Sequence, residues 1–440
     1  MDAQENVLLG VRAGSGGQSL STIATAARGQ DRTERLRMPA TQHHPRTYRE
    51  LFRTPEFGAL FLSGTAYVTA LTVSGLALGV LIYSATASPL LAALSMFGPS
   101  LGHLLGASAL LSAADRLPPR AALAGLAAAF GVGTAAQATP GLPVWAVLAL
   151  VLSLGTLSSV GVGVRFALLN EILPRESYLL GRSVLNMAVG VVQIGGFAVG
   201  GVLVTTLSPR GALLAGAALF LASAAAARLG LTRRPPRATG RPSVRATWRN
   251  NALLWSSSAR RHIYLALWVP SGLIVGCESL FIPYAPQHAG LLFASTAVGM
   301  LAGDTVLGRF VPPGRRARLA TPLRLLLALP YLVFAFHPVL PLAVAAALLA
   351  SVGYGASLVL QERLMALTPD ELSGHALGLH TSGMLAVQGV AAALAGALAQ
   401  YTSPARAMVL LAAASGTVTL ALTPGLRSLF LAPQPSPAAP

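Results

Sequence analysis

Two blocks of apolar sequence, each divided into stretches of about 20 residues, flank a basic segment at residues 228–261. A bilayer has a hydrocarbon core about 30 Å thick and takes roughly 20 apolar residues to cross as a helix. No water is available there, so each backbone N–H and C=O must be satisfied inside the structure, and a helix does this within one segment. On that ruler the first block holds six spans, at 57–83, 89–112, 121–138, 143–168, 183–207 and 211–229. The second holds six more, at 263–285, 290–311, 322–336, 341–365, 374–400 and 404–422. The basic segment carries nine arginines and no acid. Pro235, Pro236 and Pro242 keep its first half from closing into a long helix.

Composition excludes the soluble alternatives. Only 10% of residues are charged and 54% are hydrophobic, with a mean hydropathy of +0.64; soluble domains carry about a quarter charged residues. A net charge of +17 on a soluble surface would point to nucleic acid. Here the arginines sit in short loops between apolar runs, so topology accounts for them and no nucleic-acid partner is expected. All 31 basic residues are arginine. Without lysine a phosphate-cradling G-x-x-x-x-G-K-[ST] loop is impossible, which excludes ATP-driven work by this chain alone. The one cysteine, Cys277, rules out an intrachain disulfide and a cysteine metal site. No His or acid cluster has metal-ligand spacing, and no nucleophile or paired-acid constellation suggests an enzyme or a cofactor.

Orientation follows from the loops. Segments 84–88, 139–142, 286–289 and 337–338 contain no arginine, and only Arg210 and Arg406 fall on their side. The remaining arginines occupy the tail, the basic segment, the intervening loops or the helix ends beside them. Arginine-rich loops stay cytoplasmic, so both termini are expected inside. The resulting organisation is a disordered tail at 1–52, six spans within 53–230, a cytoplasmic linker at 231–262, six spans within 263–423 and a disordered tail at 424–440.

The two blocks echo one another. Leu117-Pro118-Pro119-Arg120 closes the second span, and Val311-Pro312-Pro313-Gly314-Arg315 closes the eighth. Asn170-Glu171 ends the fourth and Gln361-Glu362 the tenth; Val192-Gln193 lies in the fifth and Val387-Gln388 in the eleventh. The offset is about 190 residues each time. Six spans repeated in parallel about an axis along the membrane normal is a known membrane architecture.

With these features the chain from about Arg49 to Leu422 resembles the major facilitator superfamily. The loop after the second span reads G-x-x-x-D-R-x-G-R-[RK] in that family. Here Asp115, Arg116 and Arg120 hold charged positions, with Leu111 and Pro118 where the family has glycine. Gly190, Gly195, Gly196, Gly200 and Gly201 resemble the glycine-rich fifth span of drug/proton antiporters, without its proline. The stretch Cys277-Glu278-Ser279-Leu280-Phe281-Ile282-Pro283 is similar to a Glu-containing seventh span in the actinobacterial drug- and siderophore-efflux, enterobactin-exporter-like branch. The resemblance implies an all-α membrane protein with 12 transmembrane helices in two six-helix bundles. It implies a monomer in the plasma membrane that exports a small amphipathic molecule by alternating access, its partners being substrate, protons and the lipid bilayer. Uptake of a nutrient or siderophore, and a transporter-shaped sensor or assembly protein, stand as alternatives.

In such a fold the third, sixth, ninth and twelfth spans face lipid and the others line a central cavity. Thr65, Thr69 and Thr72 share one helical face, and Asn186 and Gln193, seven apart, share another. With Ser271 and Gln388 they are candidates to line that cavity; helix–helix hydrogen bonding is the plain alternative. Glu278 lies deep in the seventh span with no arginine within two turns. Carboxylates in hydrocarbon are costly, so Glu278 reads either as a site that binds and releases a proton or substrate, or as a neutral group hydrogen-bonded to a neighbour. Asp304 has the same two readings, with Arg309 as a structural ion-pair partner. Asp115, Arg116, Arg120 and Arg309 are candidates for a cytoplasmic gate, or for simple anchoring. His103 reads as a buried neutral ring, and His375 and His380 as interfacial. Gly190, Gly196, Gly200 and Gly201 offer small surfaces for close helix packing.

Reporter fusions after Gly141 and Pro338 are expected to read outside, and fusions after Pro236 and Pro369 inside. One reversed site removes the two-bundle topology.

Overall fold

Prolines open many of the helices. Pro55, Pro89, Pro119, Pro313 and Pro404 each take the first position of one, where a fixed φ helps and a missing N–H costs little. The computed structural model describes residues 48–110, 117–236, 244–369 and 372–431, and every regular element among them is helical. The first block forms α1 (Tyr48–Arg53), α2 (Pro55–Thr86), α3 (Pro89–Leu110), α4 (Pro119–Gln137), α5 (Val144–Ile172) and α6 (Arg175–Gly230). Next come α7 (Val244–Ser256), α8 (Ser258–Ser279), a short α9 (Phe281–Tyr284) and α10 (Ala289–Thr305), which runs on through a π-helical turn at Val306–Phe310. Then α11 (Pro313–Ala328) continues as a 3₁₀ segment, Leu329–Phe336, and α12 (Leu340–Val352) passes through a 3₁₀ turn, Gly353–Gly355, into α13 (Ala356–Ala366). The last two are α14 (Ser373–Tyr401) and α15 (Pro404–Leu431).

Among the described residues, 10 helical stretches are long and apolar enough to cross a membrane. One of them, Leu180–Gly230, has 51 residues, far longer than a bilayer is thick at about 1.5 Å per residue. It breaks at Ser208, whose φ is 74°, because Pro209 disfavours the helical conformation in the residue before it. The break coincides with the turn expected between the fifth and sixth spans. The shorter α4 is not among the 10 and packs against α5 and α6.

The segments expected to be tails and linker are partly helical. Residues 48–53 form α1 because Leu51 is fully buried and the Phe52 ring meets Phe57 and Phe61 edge-on at 5.3 and 5.1 Å. Within the linker, α7 is anchored by the buried Leu254, while Trp248 on the same helix stays exposed. At the far end α15 continues through Pro424 to Leu431, since Leu426 is buried and Gly425 lies against the His262 ring. The ninth span begins earlier than expected, at Pro313, so Arg324 lies well inside it and is buried.

Small residues set the spacing within each half. A side chain on Gly102 or Gly106 of α3 would overlap the α5 backbone around Leu152 and Thr156. One on Gly299 or Gly303 of α10 would overlap the α12 backbone at Leu348 and Val352. Each half thus repeats one device, two glycines four apart seated on the backbone of the parallel helix after next, as packing in lipid favours. Gly196 and Gly200 of α6 lie against Thr72 and Val73 of α2.

The halves meet at the arginine-poor end. There Gly201 of α6 and Gly290 of α10 touch backbone to backbone, and Gly396 of α14 lies on Pro89 and Leu90 of α3. Ser88 donates to Gln400 Oε1 at 2.9 Å, and Tyr83 donates to the Pro283 carbonyl at 3.5 Å. At the opposite end Arg234 bridges Glu56 and Glu171, both of the first half, and Arg316 holds Glu362 at 2.8 Å within the second.

Gly303→Val is expected to cost about 1–3 kcal/mol through overpacking, seen as a lower unfolding temperature in detergent. Gly378→Val is the control, because nothing lies within 4 Å of the added carbon.

Candidate functional site

Helices α2, α3, α4, α5, α6, α8, α10 and α14 enclose a cavity of about 340 Å³, within the range of ligand pockets. Its wall is mainly aliphatic and aromatic, including Leu71, Phe97, Phe130, Phe197, Phe220 and Phe293. Phe197 and Phe293 stack across the two halves at 5.0 Å. Set into this wall are Thr72, Thr134, Gln137, Gln193, Thr296 and Gln388, with one acid, Glu278. An adjoining cavity of about 220 Å³ shares Leu71, Pro99, Ser100, Phe130 and Leu385 and adds Tyr67, His103, Ser158 and Arg165.

Glu278 owes its place to a weak point in the chain. It sits in the last turn of α8, just before the helix breaks at Leu280. Pro283, lacking an N–H, cannot bond back to Ser279. The side chain is 8% exposed, and its Oε1 accepts a 3.1 Å hydrogen bond from the Tyr354 hydroxyl. Tyr354 belongs to the 3₁₀ turn that interrupts the tenth span. Tyr331, fully buried and with no hydrogen-bond partner for its hydroxyl among the described residues, lies within electrostatic reach of Glu278, Cys277 and Tyr354. A carboxyl group so placed can hold a proton or meet a cationic group, with one oxygen steadied by a phenol.

Of the expected lining residues, Glu278, Thr72, Gln193 and Gln388 face the larger cavity. Thr65, Thr69, Asn186 and Ser271 line neither cavity. The threonine hydroxyls turn back on their own helix: Thr65 donates to Phe61 O, Thr69 to Thr65 O and Thr72 to Thr69 O. Such back-bonding satisfies a hydroxyl without a ligand. Asn186 is exposed, and Ser271 is buried. The expectation that the third and sixth spans face lipid alone does not hold, because Phe130, Thr134 and Gln137 of α4 and Phe220 of α6 reach the cavity.

Asp304 is exposed on α10 and lines neither cavity; no ion pair joins it to Arg309 among the described residues. The two are five residues apart, whereas helix neighbours are three or four apart. Arg309 is exposed in the π-helical turn, and Arg120 is half-buried in the first turn of α4. Asp115 and Arg116 lie outside the described residues. Gly190 approaches Leu301 of α10. His103 is buried and shares a 3.1 Å hydrogen bond between Nδ1 and Ser158 Oγ. His375 is exposed, and His380 is buried beneath Trp268, whose Nε1 donates to its carbonyl at 3.1 Å.

Sequence reasoning missed Tyr354, Thr134, Gln137 and Arg165. Arg165 could have been found, since it stands seven residues before the end of α5 rather than in a loop. Arg324, 2% exposed with no partner for its guanidinium nitrogens, lines neither cavity.

No protein family profile matches the chain, and no curated protein matches it in sequence. Solved structures do match in fold. A POT family transporter in complex with a thioalcohol-conjugated peptide aligns with a TM-score of 0.66 at 11% identity, over 85% of this chain and 96% of the other. The nucleoside transporter NupG aligns with a TM-score of 0.68 at 11% identity, over 84% and 99%. A bacterial homolog of the human lysosomal transporter Spinster, in an inward-facing and unoccupied conformation, aligns with a TM-score of 0.63 at 15% identity, over 86% and 96%. The chain has the major facilitator fold that these proteins share, and its apolar helices make it a multi-pass membrane protein.

Tyr354→Phe is expected to lower stability by about 1–3 kcal/mol, by removing one partner of a buried polar pair. In a Glu278→Leu background the same change is expected to cost far less, a coupling that a double-mutant cycle of unfolding temperatures reads directly.

Proposed function

We propose that the chain is a secondary transporter that exports a small amphipathic molecule across the plasma membrane by alternating access, driven by protons. The observation that carries the reading is Glu278, a lone acid in a mainly apolar cavity between the halves, held by Tyr354. A proton moving down about 100 mV supplies roughly 2.3 kcal/mol per charge. A carboxyl group that takes it up in one conformation and gives it up in the other turns that energy into work. The aromatic wall suits an apolar body, and the carboxamides of Gln137, Gln193 and Gln388 suit a few polar groups.

Twelve crossings follow if the break at Ser208 separates the fifth span from the sixth and α4 supplies the third. The two bundles then occupy 53–230 and 263–423, joined through 231–262, with both termini cytoplasmic. In that orientation the closed, arginine-poor end faces outward and the cavity belongs to the inward-facing state, in which an exporter loads. Asp115, Arg116, Arg120 and Arg309 would form the gate that closes the opposite end. Transport is supported by the likeness in fold to peptide and nucleoside transporters, and export by the exporter-like glycines of the fifth span and the acid of the seventh.

The test uses purified protein in vesicles. Substrate-dependent proton movement is expected with the natural sequence. Glu278→Gln keeps size and hydrogen bonding, so uphill export is expected to fail while binding and downhill exchange persist. Uphill transport at the normal rate with an unchanged pH profile would refute the coupling role. Absence of any substrate movement from the natural sequence would favour the sensor reading.

A further inference from the structure

The smaller cavity contains a positive charge, that of Arg165, which no carboxylate among the described residues neutralises. Arg165 extends from α5 towards α2, where its guanidinium carbon lies 5.6 Å from the centre of the Tyr67 ring and beside Gly64. Among the described residues it has no ion pair and no hydrogen bond. The other polar residues of this cavity are Tyr67, Ser100, His103 and Ser158, none of them an acid. An arginine that only anchored the chain would snorkel, its head group reaching interfacial water. This one turns inward to an aromatic face.

A cation–π contact stabilises a guanidinium but leaves its charge and its hydrogen-bond fork unused. Burying such a group without a counter-charge is costly. An anion entering the cavity removes that cost and gains two parallel hydrogen bonds from the planar fork. We propose that the smaller cavity is the subsite for an anionic group, so that the substrate is an organic anion whose carboxylate, phosphate or sulfonate meets Arg165. Its apolar body then lies along Leu71, Phe130 and Leu385, the wall shared with the larger cavity. Glu278 lines only that larger cavity, so the two charges do not compete for one ligand atom. The word substrate rests on the transport reading above; the binding itself needs no transport.

The experiment measures binding by the full-length purified protein of three probes of one size: 4-phenylbutyrate, 4-phenylbutanamide and 4-phenylbutylamine. The carboxylate is expected to bind about tenfold more tightly than the amide, a difference of about 1.4 kcal/mol. Arg165→Gln is expected to abolish that preference, weakening carboxylate binding far more than amide binding, and Arg165→Lys to retain part of it. Amide binding that is retained also shows that the Gln variant is folded. Glu278→Gln is expected to keep the preference, so loss of coupling and loss of anion recognition are read separately. Equal binding of acid and amide, tightest binding of the amine, no binding of the carboxylate, or an acid preference that survives Arg165→Gln would each overturn the assignment.

Discussion

A polar group inside hydrocarbon has no water to turn to, and most of this molecule can be understood as a set of answers to that fact. The threonines of α2 bond back to their own helix. Ser63 and Ser223 bond to each other across two helices at 3.1 Å, and Ser415 donates to the Pro270 carbonyl at 3.1 Å. Several polar side chains without such an answer line the two cavities. Gln137, Gln193 and Gln388 face the larger cavity, and Arg165 faces the smaller. Polar groups of this kind fit a volume that water or a ligand fills.

Packing explains why the volume exists. Between α3 and α5, and between α10 and α12, glycine lets backbones touch and leaves no gap. Around the cavity the sequence changes to Phe97, Phe130, Phe197, Phe220 and Phe293, whose rings hold the helices apart. Tyr67 meets Phe130 and Phe220 edge-on at 5.4 and 5.2 Å, forming a rigid wall beside the shared opening. Interiors are otherwise close-packed, so a space of this size needs stiff walls to persist.

Much of the fold was legible because hydrocarbon thickness imposes one length on every span. The break at Ser208 falls between the spans expected at 183–207 and 211–229, and Glu278 stood out as a lone acid. What could not be read was which neighbour a helical face meets. Spacing placed Thr65, Thr69 and Thr72 on one face, yet only Thr72 reaches the cavity. The Ala- and Gly-rich α4 looked lipid-facing, but its last two turns carry Thr134 and Gln137 inward. Tyr354 became the partner of Glu278 through a contact 76 residues away in sequence, and nothing in local pattern encodes that. Arg165 was hidden by its kind: in a chain whose arginines mostly mark loops, one that turns inward carries the same letter.

Under the alternating-access reading proposed above, the contact between Gly201 and Gly290 has a consequence for turnover. Fixing a large side chain in one rotamer carries an entropic cost, up to about 2 kcal/mol for the longest. Two glycines meeting backbone to backbone have no rotamers to fix when they join or to release when they part. Separation at that point frees no side chain of either glycine. A contact of this kind adds no side-chain rearrangement of its own to opening and closing.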